Sequence, residues 1–261
     1  MYQSKENNKT IRIFLILLSI MTFLFVLFIY KTSSDNRINT MKFNNISEDG
    51  SFVVVDNKIQ KDFSDEKNVK IEWYTDLLCP DCERAHRGLK DFLSNAINKK
   101  EVEIKFYPLN YLPQHSDNDY PLNSASWILG IAEYSPEETM LFIDTLFADR
   151  TDLLDRDAQY FYNTAISIGV KKENVRKIED SMFTLKAIVN NNSVGIRQRK
   201  DLLALSPTKD RMFVPFIIIN QEKSLIGESK EIEKDLIAPI KESIKNKETM
   251  KDKITIITLV L

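Results

Sequence analysis

Apolar and polar positions follow two rhythms along this chain, and their order outlines an architecture. Phe52-Val53-Val54-Val55 and Val69-Lys70-Ile71-Glu72-Trp73-Tyr74 are short runs rich in β-branched and aromatic residues, the pattern of strands. Ala85, Leu89, Phe92, Leu93 and Ala96 recur at helical spacing and predict an amphipathic helix ending near residues 98–100. Val102-Glu103-Ile104-Lys105-Phe106-Tyr107 then alternates as a strand. The three elements make a strand, helix, strand crossover, which normally builds parallel pairing.

From about residue 110 to 209 the rhythm turns helical, with stretches over 124–134, 156–168, 173–189 and 193–203. Ser135-Pro136-Glu137-Glu138 supplies an N-cap, a first-turn proline and early acids for a further helix through Leu141, Phe142, Thr145 and Leu146. Gly169 marks a helix stop. Residues 213–219 are again a β-type run, 220–223 a turn and 224–226 a returning strand. Residues 228–247 predict a closing helix that Pro239 should kink or interrupt. The apolar end, residues 254–261, is too short to cross a membrane as a helix and fits an added edge strand.

A different signal opens the chain. Between Arg12 and Lys31 stand 18 residues without a charge, which as a helix would be about 27 Å long, enough to cross a bilayer core. A cleaved signal peptide has a shorter apolar region and a small-x-small site, and neither is evident. The expected organisation is a cytoplasmic tail over 1–12, a transmembrane signal anchor over 13–30 and a polar linker over 31–50. An α/β domain follows in two parts, 51–109 and 210–247, with a helical insertion over 110–209 and a tail over 248–261. Lys5, Lys9 and Arg12 balance Lys31, Arg37 and Lys42, so the positive-inside rule gives no orientation.

The chain has 261 residues, 43% hydrophobic and 28% charged, which suffices for one substantial core. A net charge of -2, with no basic run interleaved with aromatics, gives no footprint for nucleic acid. Two cysteines are too few for a disulfide framework. They form Cys79-Pro80-Asp81-Cys82, where a strand hands over to a helix, and such a dithiol can close a small disulfide ring and exchange it with other thiols. Cys79 would stand at the helix N-terminus, where unpaired N–H groups and the macrodipole favour a thiolate, making it the attacking sulfur. Cys82, one turn on, would resolve the mixed disulfide. A zinc site from Cys79, Cys82, His86 and His115 is the competing reading, although the spacing matches no common framework.

Pro80 limits the loop's conformations, and the Asp81 carboxylate either disfavours the neighbouring thiolate or simply interacts with the helix N-terminus. Glu72 and Asp76 have two readings as well. One buried beneath the cysteines would relay the proton of Cys82; otherwise strand alternation exposes Glu72 and Asp76 caps the loop. No cofactor-binding fingerprint is present, so the redox group is the Cys79–Cys82 pair itself. A disulfide persists outside the cytoplasm, which argues for an extracytoplasmic domain on the membrane tether.

The string from Ile71 to Cys82, the Val214-Pro215 pair before a second strand pair, and the long helical insertion together resemble the DsbA-like branch of the thioredoxin superfamily. In texture the chain is most similar to the membrane-anchored members of Gram-positive bacteria. The resemblance covers about residues 51–247. It implies an α/β, thioredoxin-like fold with an inserted helical subdomain, preceded by one N-terminal transmembrane helix. It further implies an extracytoplasmic oxidoreductase that introduces disulfides into reduced secreted or surface proteins and is reoxidised by a membrane redox partner. Pro215 would be the cis-proline facing the cysteines, with the Val214 backbone offered to a substrate peptide. Two departures stand out: Asp81 occupies a place where DsbA-like oxidants often carry histidine, and Phe213 replaces a glycine. A disulfide reductase or isomerase, and a non-catalytic peptide-binding module, are the alternatives.

Overall fold

The computed structural model describes residues 15–26, 41–64, 68–112, 119–226, 231–247 and 249, and the chain divides into two units, Met1–Lys42 and Phe43–Leu261. In the first unit, residues 15–26 form helix α1, with its side chains exposed. This helix is about 18 Å long. Among the described residues no helix is long and apolar enough to cross a membrane. The remainder of the predicted anchor lies outside the described residues, as do nearly all of the C-terminal tail and His115.

The second unit is built on β1 (Phe52–Val55), β2 (Lys58–Gln60), β3 (Val69–Thr75), β4 (Val102–Pro108), β5 (Phe216–Ile219) and β6 (Lys223–Ile226), in the order β2-β1-β4-β3-β5-β6. Strands β3 and β4 pair in parallel, Ile71 opposite Ile104 and Trp73 opposite Phe106, as the crossover predicts. All other neighbours are antiparallel. The crossover helix is α2 (Pro80–Asn98). Its Cys82, Ala85, Leu89, Leu93 and Ala96 are buried, and its His86 ring lies 5.8 Å from the Trp73 ring, placing the helix on the Trp73 face of β3.

Strand β2 is absent from the sequence expectation because it is short and polar. What creates it is the turn before it, in which Asp56 and Asn57 both take positive φ, 49° and 57°. That is the backbone of a type I′ hairpin, and Asp and Asn tolerate it better than most residues.

The insertion comprises α3 (Tyr120–Tyr134), a 3₁₀ turn (Pro136–Glu138), α4 (Thr139–Ala148), a second 3₁₀ turn (Leu153–Asp155), α5 (Ala158–Ser167), α6 (Lys172–Ile196) and α7 (Lys200–Leu205). Gly169 ends α5 as expected: at φ 104° it closes a Schellman motif, its N–H bonding to Ile166 O at 3.1 Å and that of Val170 to Ala165 O at 3.0 Å. Three expectations need correction. Ser135 makes no capping bond, because its hydroxyl accepts from Asn174 Nδ2 at 3.1 Å and α4 starts after a 3₁₀ turn. The predicted helices 173–189 and 193–203 do not break at the three asparagines between them. Instead α6 runs through, where Asn190 accepts from Asn110 Nδ2 and the Ser193 hydroxyl accepts from Asn110 N–H.

The third correction concerns the start of the folded unit, since the sequence places residues 43–50 in the linker. The buried Glu133 carboxylate of α3 accepts N–H bonds from Asn44 at 2.8 Å, Asn45 at 2.8 Å and Ile46 at 3.3 Å. Ile46 is buried in the core as a result.

The closing helix α8, residues 232–247, is continuous through Pro239. A π-helical turn, Glu233–Ile237, precedes the proline, with Ala238 N–H bonding to Glu233 O. The widened turn takes up the ring that would clash in an ordinary α-ladder. Ile232 of α8 packs over Gly88 of α2, where a Cβ would come within 2.7 Å of Ile232 Cγ2, so only glycine lets the two helices approach this closely.

Candidate active site

Strand β3 delivers the chain to the start of α2 through the loop Asp76-Leu77-Leu78-Cys79. Cys79 is the N-cap in extended conformation, its N–H bonding to Asp76 O at 3.1 Å and its carbonyl accepting from Glu83 N–H at 3.2 Å. Pro80 takes the first helical position, where the missing N–H would have no intrahelical partner anyway. Both cysteines are free thiols and both are buried, Cys82 completely and Cys79 to all but 6%.

The environment splits their acidities. The Cys79 thiol is held below the usual range, first by a hydrogen bond from the Cys82 thiol and then, against the cost of burial, by the N–H groups of Cys82 and Asp81 at the helix start. The Cys82 thiol is pushed well above it, mainly by burial and further by the charge on Cys79. The Asp76 N–H points to Cys82 Sγ at 3.4 Å, and the buried Thr75 hydroxyl favours its thiolate. Of the two thiols Cys79 is thus the more acidic and Cys82 the one that burial keeps protonated.

Asp81 acts in the first of the two senses open from the sequence: its carboxylate opposes the Cys79 thiolate, although its backbone N–H supports that thiolate. The carboxylate bonds Arg84 at 2.7 Å and is about one-third exposed, so solvent and a counter-charge weaken its repulsion.

Across from Cys79 lies the segment entering β5. The Val214–Pro215 bond is cis, and Cys79 Sγ is 3.5 Å from Val214 O. The loop and the Cys79 sulfur face each other, as the resemblance implies, with Phe213 in place of the glycine accommodated beneath the Arg211 guanidinium at 5.0 Å.

Glu72 and Asp76 part company. Strand alternation turns Glu72 away from the face that carries α2, so it does not lie beneath the cysteines; it is half-buried and accepts from the Tyr74 hydroxyl at 2.6 Å. Asp76 is fully buried. Its Oδ1 accepts from Leu78 N–H at 2.8 Å, and its Oδ2 from Tyr111 N–H at 2.7 Å and Leu112 N–H at 2.8 Å. It does cap the loop, and burial raises its pKa to about 6 even against those three bonds.

His86 is directed elsewhere than the zinc reading needs: Nε2 meets Asp144 Oδ1 at 2.6 Å and the ring stacks on Phe147 at 4.6 Å. Among the described residues no three His, Cys, Asp or Glu side chains gather to hold a metal.

Two site residues escape sequence reasoning. Tyr111, whose N–H serves Asp76, donates its hydroxyl to Met212 O, joining the cysteine loop to the Pro215 loop. Arg150, between α4 and α5, donates to the carbonyls of Leu77 and Leu78, the latter at 2.9 Å. No motif flags either, since each works through backbone atoms of a distant segment.

A family model described as thioredoxin matches residues 64–238. No curated protein sequence matches the chain. Among solved structures, the fold is similar to MdbA, a thiol-disulfide oxidoreductase from Corynebacterium diphtheriae, at 19% identity and a TM-score of 0.54, covering 70% of this chain and 90% of that one. It is similar to reduced DsbA from Mycobacterium tuberculosis, at 18% identity and a TM-score of 0.54, covering 77% and 98%. Oxidised BdbD from Bacillus subtilis matches at 16% identity and a TM-score of 0.53, covering 78% and 96%. These likenesses are ones of fold. With the matched model spanning both parts of the sheet domain and the insertion between them, the chain belongs to the thioredoxin family.

Proposed function

We propose that this protein is a membrane-tethered, extracytoplasmic dithiol oxidase that introduces disulfides into reduced secreted or surface proteins through Cys79 and Cys82. The observation that carries the reading is the meeting of a stabilised thiolate at the start of α2 with the cis Val214–Pro215 segment, 3.5 Å from sulfur to carbonyl. In the disulfide form, a substrate thiolate attacks Cys79 Sγ and the S–S bond breaks with its electron pair on Cys82. A second substrate thiolate then attacks the substrate's own sulfur, and the Cys79 thiolate leaves. The stabilised Cys79 thiolate makes it a good leaving group, which favours oxidation of the substrate. Cys82, raised by burial, takes up a proton, and Asp76, with its pKa near 6 and its N–H on the Cys82 sulfur, exchanges it. Extended substrate backbone lies along Val214. The cysteine pair is the whole redox group, and a membrane redox partner restores the disulfide. The apolar segment between Arg12 and Lys31 supplies the tether.

Equilibrating the full chain with glutathione tests the direction. A reduction potential above about -200 mV supports oxidation of substrates, whereas one below about -250 mV overturns it. The Asp81 carboxylate, opposing the Cys79 thiolate, favours the second reading of a reductase or isomerase. Cys79→Ala should abolish refolding of a reduced, disulfide-containing substrate; persistence of that activity would return the chain to the peptide-binding class.

A further inference from the structure

We propose that Arg150 is a positioning residue for the exchange reaction: reaching in from the helical insertion, its guanidinium holds the Leu77 and Leu78 carbonyls and thereby fixes the loop that presents Cys79. This rests on the reading of Cys79 as the attacked sulfur. The two carbonyls precede α2 and lie outside its hydrogen-bond ladder, whose first bond is accepted by Cys79 O. On its other side the loop is pinned by the Asp76 carboxylate through Leu78 N–H. One short segment is thus held by an anion through its amide and by a cation through its carbonyls.

The clamp has a firm base. Asp149, next to Arg150, accepts from Arg156 at 2.7 Å, from the Tyr160 hydroxyl at 3.1 Å and from Thr151 N–H at 3.1 Å. The Arg156 guanidinium, itself buried, stacks 4.1 Å from the Tyr160 ring and donates to Thr151 O at 2.8 Å. The connection between α4 and α5 is therefore tied to the body of the insertion, and Arg150 transmits that rigidity to the cysteine loop. A planar fork suits two adjacent carbonyl oxygens, whereas an ammonium on a flexible stem is a point charge without that geometry. The charged and titratable groups around the loop are Asp76, Asp81, Cys79 and Cys82, and Arg150 lies close enough to favour the ionised form of Asp76.

The test compares the full-length wild type, Arg150→Met and Arg150→Lys for the rate at which the oxidised protein is reduced by a dithiol peptide. Alongside it, a thiolate absorbance titration of the reduced protein follows Cys79. Arg150→Met should slow exchange by roughly tenfold to a hundredfold, the scale for a misplaced reacting group, and should raise the Cys79 midpoint as the helix-start N–H groups lose register with the sulfur. Arg150→Lys keeps the charge and should stay at least about fivefold slow, because the fork is lost. Rates within twofold of wild type in both folded variants, or full rescue by lysine, overturn the proposal. Should Arg150→Met fail to fold, the lysine variant decides by the same criteria. If the wild type itself exchanges no faster than Cys79→Ala, the oxidase reading fails instead, and the titration still decides on Arg150: an unmoved Cys79 midpoint removes it from the site.

Discussion

Glu72 and Asp76 lie one helical turn's worth of residues apart in sequence, yet the fold gives them opposite lives. Glu72 sits inside a strand, so the two-residue alternation fixes its face, and it accepts from the Tyr74 hydroxyl on the same face. Asp76 sits one residue past the end of β3, where alternation no longer applies, and its carboxylate turns inward to collect three amides from two segments. The difference teaches that a buried acid in this site is defined by where the strand stops. A carboxylate within the ladder is steered by its neighbours, whereas one just beyond it can organise loops.

Three experiments would break or sharpen that contrast. The largest effect belongs to Asp76→Ala, which leaves the N–H groups of Leu78, Tyr111 and Leu112 without their acceptor. At about 1–3 kcal/mol for each unmade buried bond, partly relieved by local repacking, the loss should be about 4 kcal/mol in urea unfolding. A loss below about 1 kcal/mol would make Asp76 no more organising than Glu72.

Next is the pH dependence. Because the folded pKa of Asp76, about 6, lies above the ordinary 3.8, its contribution to stability is fully present below pH 3.8 and is lost as pH rises through 6. The unfolding free energy of wild type minus that of Asp76→Asn should therefore fall by about 3 kcal/mol between about pH 3 and about pH 7 and stay level above that. A difference that is flat across this window would show that burial does not govern the acid.

The smallest effect is expected for Glu72→Gln, which keeps an acceptor for the Tyr74 hydroxyl at a half-buried position. Its stability should change by less than about 1 kcal/mol, with the exchange rate of Cys79 within twofold of wild type. A large fall in rate would reinstate Glu72 in the cysteine chemistry.

Much of the sheet was legible because its strands are apolar and regular: β1, β3, β4, β5 and β6 each coincide with a β-type run in the sequence. The cysteine pair was legible because its spacing and its place between strand and helix are local. The reading of Pro215 came through resemblance, and the cis bond agrees with it. What local pattern does not carry is long-range partnership. Three consecutive asparagines read as a break at residues 190–192, but bonds to Asn110 outweigh their weak helix propensity. Residues 43–50 read as linker because their contribution is backbone N–H, which composition does not display, gathered by Glu133 far downstream. Arg150 and Tyr111 are ordinary residues in sequence, and only the sheet and the insertion bring them to the loops they hold.

The placement of β5 beside β3 has a consequence for synthesis. Cys79 and the Val214 carbonyl that faces it are 135 positions apart in the chain, and the intervening residues must be made before the strand carrying the second can dock. At about 5–20 residues per second that interval is roughly 7–27 s. Throughout it the Cys79 thiol stands without its opposing loop, so the contact between sulfur and carbonyl is among the last of the cysteine site to form.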